Sequence, residues 1–195
     1  MKRALISALV LGSLAVPAVA KATMMEQLDT KRLTKFSKSI HIGQVVKQWP
    51  SWDPSRHIYF THTVFRVEQT LKGSGADTVE IVSPGGQGEE YGTIVHGMVR
   101  FSPGEKALVF LEEGKTGNPS VVGMAQGKFH IGKSLVTGED MAMFNAPADV
   151  EFFTHGQQGR IRHVVSSQVE RKIPLNTLIG EIRSAVAQEG EILKP

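Results

Sequence analysis

From residue 58 onward the chain alternates runs of β-branched and aromatic residues with tight groups of glycine, proline, serine and asparagine, and this rhythm constrains the fold more than any other feature. The run IYFTHTVFRVEQTL (58–71) is followed by TVEIV (78–82), TIVHGMVRF (93–101), KALVFLE (106–112) and SVVGMAQGKFHI (120–131). Between them stand Gly73-Ser74-Gly75, Pro103-Gly104 and the segment Gly114 to Pro119, all of which are turn chemistry. Proline presets φ and glycine accepts φ > 0, so Pro103 and Gly104 suit the two central positions of a type II turn and predict a hairpin there. Short strands at this spacing predict an antiparallel barrel or sandwich.

Upstream, Ile40 to Val46 reads as a strand, with a turn expected from Pro50 to Pro54. Within 58–71, Thr61, Thr63, Phe65 and Val67 share one face, and Phe60, His62, Val64 and Arg66 share the other. Both faces carry apolar bulk, which suits a sheet with one side in a core and the other partly covered by helices. Val64, Phe65, Val67, Val79, Ile81 and Leu108 to Leu111 are therefore expected to be buried in one sheet system. At the N-terminal end, Thr23 with Glu26 forms a capping-box pattern, and Met25, Leu28, Arg32 and Phe36 follow at helical spacing. Residues 132–173 carry only short apolar snippets, at Met141 to Phe144, Val150 to Phe153 and Arg162 to Val165, consistent with one or two short strands and loops. Pro174 then opens an amphipathic helix that buries Leu175, Leu178, Ile179, Ile182 and Val186 and ends near Gly190.

The first twenty residues have the form of an export signal. Lys2 and Arg3 precede an apolar stretch from Ala4 to Val16, and Ala18-Val19-Ala20 matches a cleavage site. Cleavage there would leave 175 residues, ample for one domain over 21–195, and would lower the formal charge from +3 to +1. A chain so nearly neutral, with no basic run interleaved with aromatics, argues against nucleic acid and anionic membrane surfaces as partners. Cysteine is absent, which excludes disulfides, a thiol nucleophile, Cys-ligated zinc and a lipid-bearing cysteine behind the signal. These features predict a periplasmic or secreted protein without a stable membrane anchor.

The glycine-rich stretch SPGGQGEEYGTIVHG (83–97) invites a phosphate-loop reading. A phosphate loop needs backbone N–H groups converging at a helix start, with a lysine and a hydroxyl beside them. Here no Gly-Lys-Ser/Thr follows, Glu89 and Glu90 oppose an anion, and Thr93-Ile94-Val95 is strand-like. The stretch is better read as a connecting or contact loop with Tyr91 as its anchor. Other enzyme signatures are also missing: no G-x-S-x-G, no H-E-x-x-H, no S-x-x-K in a β-lactamase setting and no calcium loop. Of the histidines, His57, His62, His96, His130, His155 and His163 are scattered, so neither a metal nor a cofactor is expected. A hydrolase or metal-dependent enzyme using His and carboxylate groups assembled by folding is the main competing class, and a structural envelope protein is a further one.

Candidate binding residues cluster in QWPSWDPSRHIYF (48–60), where Trp49 and Trp52 bracket Pro50 beside Arg56 and Tyr59. Two indoles at the end of a hairpin suit recognition, with core capping as the alternative. Tyr91 completes the set.

An N-terminal helix followed in order by IHIGQVVKQWPSWD, IYFTHTVFRVEQTLKG, VEIVSPGG, FSPGEKALVFLEE and VVGMAQGKFHI resembles a family of exported bacterial proteins of unknown function. The β-barrel of that family is similar to the OB-fold of tissue inhibitors of metalloproteinases and netrin modules. The resemblance covers roughly residues 24–131 and implies a five-stranded barrel that binds a partner. It does not carry over the inhibitors' zinc-chelating N-terminal cysteine, since there is no cysteine here. The expectation is a mainly β protein: a small closed antiparallel barrel of OB-like type over about 39–131, with an N-terminal helix, and an extension and helix over 132–195. It would act as a non-catalytic binding or inhibitory module for another envelope or extracellular protein.

Overall fold

The computed structural model describes residues 23–155, 161–164 and 169–192. The expected export signal over 1–20 lies outside these residues. In chain order the elements are β1 (Thr23–Glu26), α1 (Thr30–Phe36), β2 (Ser39–Asp53), β3 (Ile58–Lys72), β4 (Thr78–Pro84), β5 (Gly86–Gln87), β6 (Gly92–Thr93), β7 (Lys106–Glu113) and β8 (Pro119–Val121), then β9 (Lys128–Lys133), β10 (Asp140–Asn145), β11 (Val150–His155), β12 (Ile161–Val164), β13 (Glu170–Pro174) and α2 (Leu175–Ile192). The protein is mainly β, with one helix near each end.

The main sheet runs β13-β10-β9-β7-β2-β3-β4, with β8 also paired to β7, and all its ladders are antiparallel. Among the described residues no ladder closes this path into a barrel. Instead β8 lies against β4 without pairing to it, so the sheet curls between strands that share no backbone bonds.

Strand β7 explains why the apolar pattern lost its alternation. Ala107, Val109 and Leu111 face a core with Val45, Phe65, Ile81 and Val121, while Leu108 and Phe110 face another with Ile40, Phe129, Leu178 and Ile182. A strand buried on both faces reads as a continuous hydrophobic run. The expected core residues all lie in this one sheet and are buried or packed against these clusters, apart from Val64, which is half-buried, and they divide between the cores on its two faces. Three irregularities bend β2 against β3, and at one of them a Cβ on Gly43 would lie 2.0 Å from the Arg66 carbonyl oxygen. Only glycine permits that approach.

Several sequence expectations need correction. Thr23–Glu26 is not the first helical turn but a strand parallel to Val150–Phe153. The helix starts later because Asp29 is its N-cap, its carboxylate accepting from the Arg32 N–H at 2.8 Å, while Glu26 pairs with the Arg32 guanidinium instead. The turn expected at Pro50–Pro54 falls at residues 54–57, and β2 runs straight through Pro50. Residues 93–101 form a strand only at their start. A turn at Gly97, where φ is +76°, redirects the segment so that Val99 enters the core beside Phe65. The 120–131 run splits into β8 and β9 around a turn, and 132–173 holds four short strands rather than one or two. Pro103-Gly104 is the expected type of turn, with Gly104 at φ +77° and the Glu105 N–H donating to the Ser102 carbonyl at 3.0 Å. It joins a loop to β7, however, and not two paired strands. The C-terminal helix packs on Leu178, Ile179 and Ile182 as its spacing predicts. No helix among the described residues is long and apolar enough to cross a membrane.

Candidate functional site

Beyond Val45 the β2 strand leaves β7 and pairs with β3 alone as far as Asp53 and Ile58. The turn at the end of this arm is held by Asp53. Its Oδ1 accepts from the Ser55 hydroxyl (2.6 Å), the Ser55 N–H (2.8 Å) and the Arg56 N–H (3.1 Å), and its Oδ2 accepts from the Arg56 guanidinium (2.6 Å). The Ser55 hydroxyl, followed by Arg56, pulls the Asp53 carboxyl down to a pKa of about 2. Arg56 is thereby a turn brace, and it also lies over the Phe60 ring at 5.9 Å.

Because side chains alternate along a strand, Trp49 and Trp52, three positions apart, project from opposite faces of the arm. Trp52 faces its cross-strand partner Tyr59, ring centroids 5.0 Å apart. The β5/β6 hairpin folds over this pair, so that Tyr91 meets Trp52 edge-on at 5.6 Å and Tyr59 at 5.5 Å. Trp52 and Tyr91 remain 38% and 52% exposed, a degree of exposure that leaves aromatic surface open to a partner. Local chemistry holds the hairpin in place. The Tyr59 N–H donates to Thr93 Oγ1 (3.0 Å), the Gly85 N–H donates to the Tyr59 carbonyl (2.7 Å), and the Gly88 N–H donates to the Tyr91 carbonyl (2.9 Å). Gly85 sits at φ +104°, and a Cβ on Gly88 would meet the Tyr59 hydroxyl at 2.2 Å. These glycines therefore serve turn geometry and close packing. Desolvation, then the neighbouring Tyr91 and the exposed Glu89 and Glu90, raise the Tyr59 phenol above its ordinary pKa.

Beside the aromatic group opens a cavity of about 550 Å³, lined by Gln48, Thr61, Thr63, Ser83, Thr93 and Arg100 among others. Its hydroxyl and amide groups are partly engaged with one another: Gln48 donates to Thr63 Oγ1 (3.0 Å) and Thr61 Oγ1 donates to the Gly85 carbonyl (2.8 Å). A second cavity of about 480 Å³ shares the wall formed by Val95, Met98, Val99 and Arg100. Behind it Glu105 accepts from Lys128 (2.6 Å) and from the Ser102 N–H (2.9 Å) and pairs with His130 at 3.3 Å, which balances the local positive charge.

The opposite face of the arm is different in kind. Trp49 stacks on His62, centroids 5.1 Å apart and planes 12° from parallel, with Lys47 over its ring at 5.0 Å. His62 in turn bridges Ser51, on β2, and Glu80, on β4. Of the five residues singled out from the sequence, then, the fold brings together Trp52, Tyr59 and Tyr91, turns the Trp49 ring onto His62 while Trp49 still lines the cavity, and uses Arg56 in the turn. Sequence reasoning missed the cavity-lining Gln48, Thr61, Thr63 and Ser83, as well as Ser51 and Glu80. Cross-strand register alone reveals them, although the face assignment of 58–71 already puts Thr61 and Thr63 together.

The described histidines go to separate partners: His41 to Thr70, His57 to Trp52, His62 to Ser51 and Glu80, His96 to Asp149, His130 to Glu105 and His155 to Glu26. Among the described residues, no three metal-ligating side chains come together. No family model matches the chain, and no curated protein matches its sequence.

Proposed function

We propose that this chain is an exported binding or inhibitory module of the bacterial envelope, recognising another envelope or extracellular protein through a contact surface that is itself non-catalytic. The observation that carries the reading is the group of Trp52, Tyr59 and Tyr91, of which Trp52 and Tyr91 are exposed, fixed on two hydrogen-bonded hairpins beside an open cavity. Aromatic side chains offer large contact area at low entropic cost, and rigid elements keep that cost small. An OB-like barrel suits this function. The curl of β2, β3, β4, β7 and β8 around Val45, Phe65, Ile81 and Val121 supports that finer reading of the fold. If the protein inhibits a protease, it does so without an N-terminal cysteine chelating the enzyme's zinc, since it has none.

Capture from envelope extract with the chain beginning at Lys21 tests the proposal, with Trp52→Ala and Tyr91→Ala run in parallel. A hot-spot aromatic contributes roughly 2 kcal/mol, about thirtyfold in affinity, so a specific partner should be depleted by either variant. A captured protein retained equally by both variants would show that this surface is not the recognition site. Mass spectrometry of the native protein should find cleavage after Ala20, and an intact N-terminus in a cytosolic fraction would remove the envelope setting.

A further inference from the structure

On the face of the β2/β3 arm opposite Trp52, the Ser51 hydroxyl oxygen lies 2.7 Å from His62 Nε2, and His62 Nδ1 lies 2.6 Å from Glu80 Oε1. A carboxylate can only accept, so Nδ1 carries the ring proton and Nε2 is left to accept from the Ser51 hydroxyl. This is the donor order of a serine nucleophile, its base and the carboxylate that orients the base. Three adjacent antiparallel strands supply the residues. Ser51 is paired with Phe60, so His62 is its diagonal neighbour, and Glu80, paired with Val64, stands diagonally to His62 on the far side. Trp49, directly across from His62, stacks on the imidazole and fixes its plane. The His62 side chain is only 19% exposed, whereas Glu80 is 44% exposed, so the base is sheltered while the site stays open to solvent.

The backbone adds a donor. Tyr59 sends both its N–H and its carbonyl toward the β4 side, to Thr93 and Gly85. It therefore faces Trp52 as a non-hydrogen-bonded pair, and the Trp52 N–H points to the edge of β2 that β7 has left. Pro50 has the same parity, which is why a residue without an N–H is tolerated there. The N–H following the serine is thus uncommitted to the ladder and adjacent to the hydroxyl that would attack. It is a free backbone donor one residue from the serine, the kind of group that acyl transfer uses to stabilise an oxyanion.

We propose that Ser51, His62 and Glu80 form a nucleophilic serine site that accepts carboxylic esters. The Ser51 oxygen forms a bond to the ester carbonyl carbon as its proton passes to His62 Nε2. The bond from that carbon to the alcohol oxygen then breaks, and Nε2 returns the proton to the departing alcohol. Water, deprotonated by the same nitrogen, attacks the acyl-serine; the acid leaves and the Ser51 hydroxyl is restored. Glu80 stabilises the imidazolium in both halves without taking the proton.

A fluorophosphonate probe, which labels activated serines, tests the site on the purified chain, with peptide mass spectrometry locating the label and p-nitrophenyl acetate as the ester. The expected result is label on Ser51, its loss in Ser51→Ala, and slowing on the order of a hundredfold in His62→Gln for both labelling and ester turnover. Glu80→Gln, on an exposed side chain, provides a second variant should His62→Gln disturb the sheet, and it too should slow both reactions. Absence of label from Ser51 would overturn the proposal. So would labelling at the wild-type rate in Glu80→Gln with the circular dichroism spectrum preserved.

Discussion

Replacing Phe110 by alanine tests the two-core architecture where the argument is most exposed. The Phe110 side chain is fully buried in the cluster that joins β7 to β9, β10 and α2, its ring centroid 6.0 Å from that of Phe129. Truncation removes a whole ring from the core under the sheet, and the Phe110 backbone, bonded to Val122 and Gly127 at 2.9 and 2.8 Å, opposes collapse into the void. Phe→Ala changes in such settings cost about 3–5 kcal/mol, including roughly 0.5–1.5 kcal/mol for the lost aromatic contact. In a domain of this size each kcal/mol moves Tm by roughly 2–4 °C, so a loss of about 4 kcal/mol predicts a fall of about 8–16 °C. Phe65→Ala should cost a similar amount from the other cluster, since its ring is also fully buried. Urea unfolding followed by circular dichroism gives both numbers. A cost below about 1 kcal/mol for Phe110→Ala would refute the reasoning, because it would mean that β7 is not covered on its helix-facing side.

His41 is 1% exposed and bonded to Thr70, and burial depresses its pKa, so the folded chain resists a proton that the unfolded chain accepts below about pH 6.5. Its contribution to stability is thus present above that pH and lost as the pH falls through it; His41→Gln should flatten the Tm-versus-pH curve in this range, and an unchanged slope would clear His41 of the effect. The Asp53 carboxyl should titrate near 2 by NMR and rise in Ser55→Ala, because the Ser55 hydroxyl is the largest influence holding it down. Gly88→Ala should displace the Tyr59 hydroxyl, which a new Cβ would meet at 2.2 Å, and so disturb the Tyr59 and Tyr91 ring resonances. Wild-type chemical shifts for both rings in that variant would mean that the hairpin packs differently.

Local pattern already determines most elements of this protein. The alternation of Thr61, Thr63, Phe65 and Val67 against Phe60, His62 and Arg66 identifies β3 and its inward face, and the 3,4 spacing of Leu175, Leu178, Ile179 and Ile182 identifies α2, because side-chain direction repeats with the backbone period. Pro103-Gly104 is legible for the same reason: turn dihedrals belong to single residues. What pattern could not decide was partnership. Thr23–Glu26 carries a helix-start motif but becomes a strand beside Val150–Phe153, more than a hundred residues away in sequence, and Trp49 and Trp52 look like one surface until the strand through Pro50 puts them on two. The Trp52–Tyr59–Tyr91 group and the Ser51–His62–Glu80 chain exist only through cross-strand register and a hairpin folded back over β3. Neither register nor loop closure is encoded in any short window of residues, and both follow from burying two cores at once.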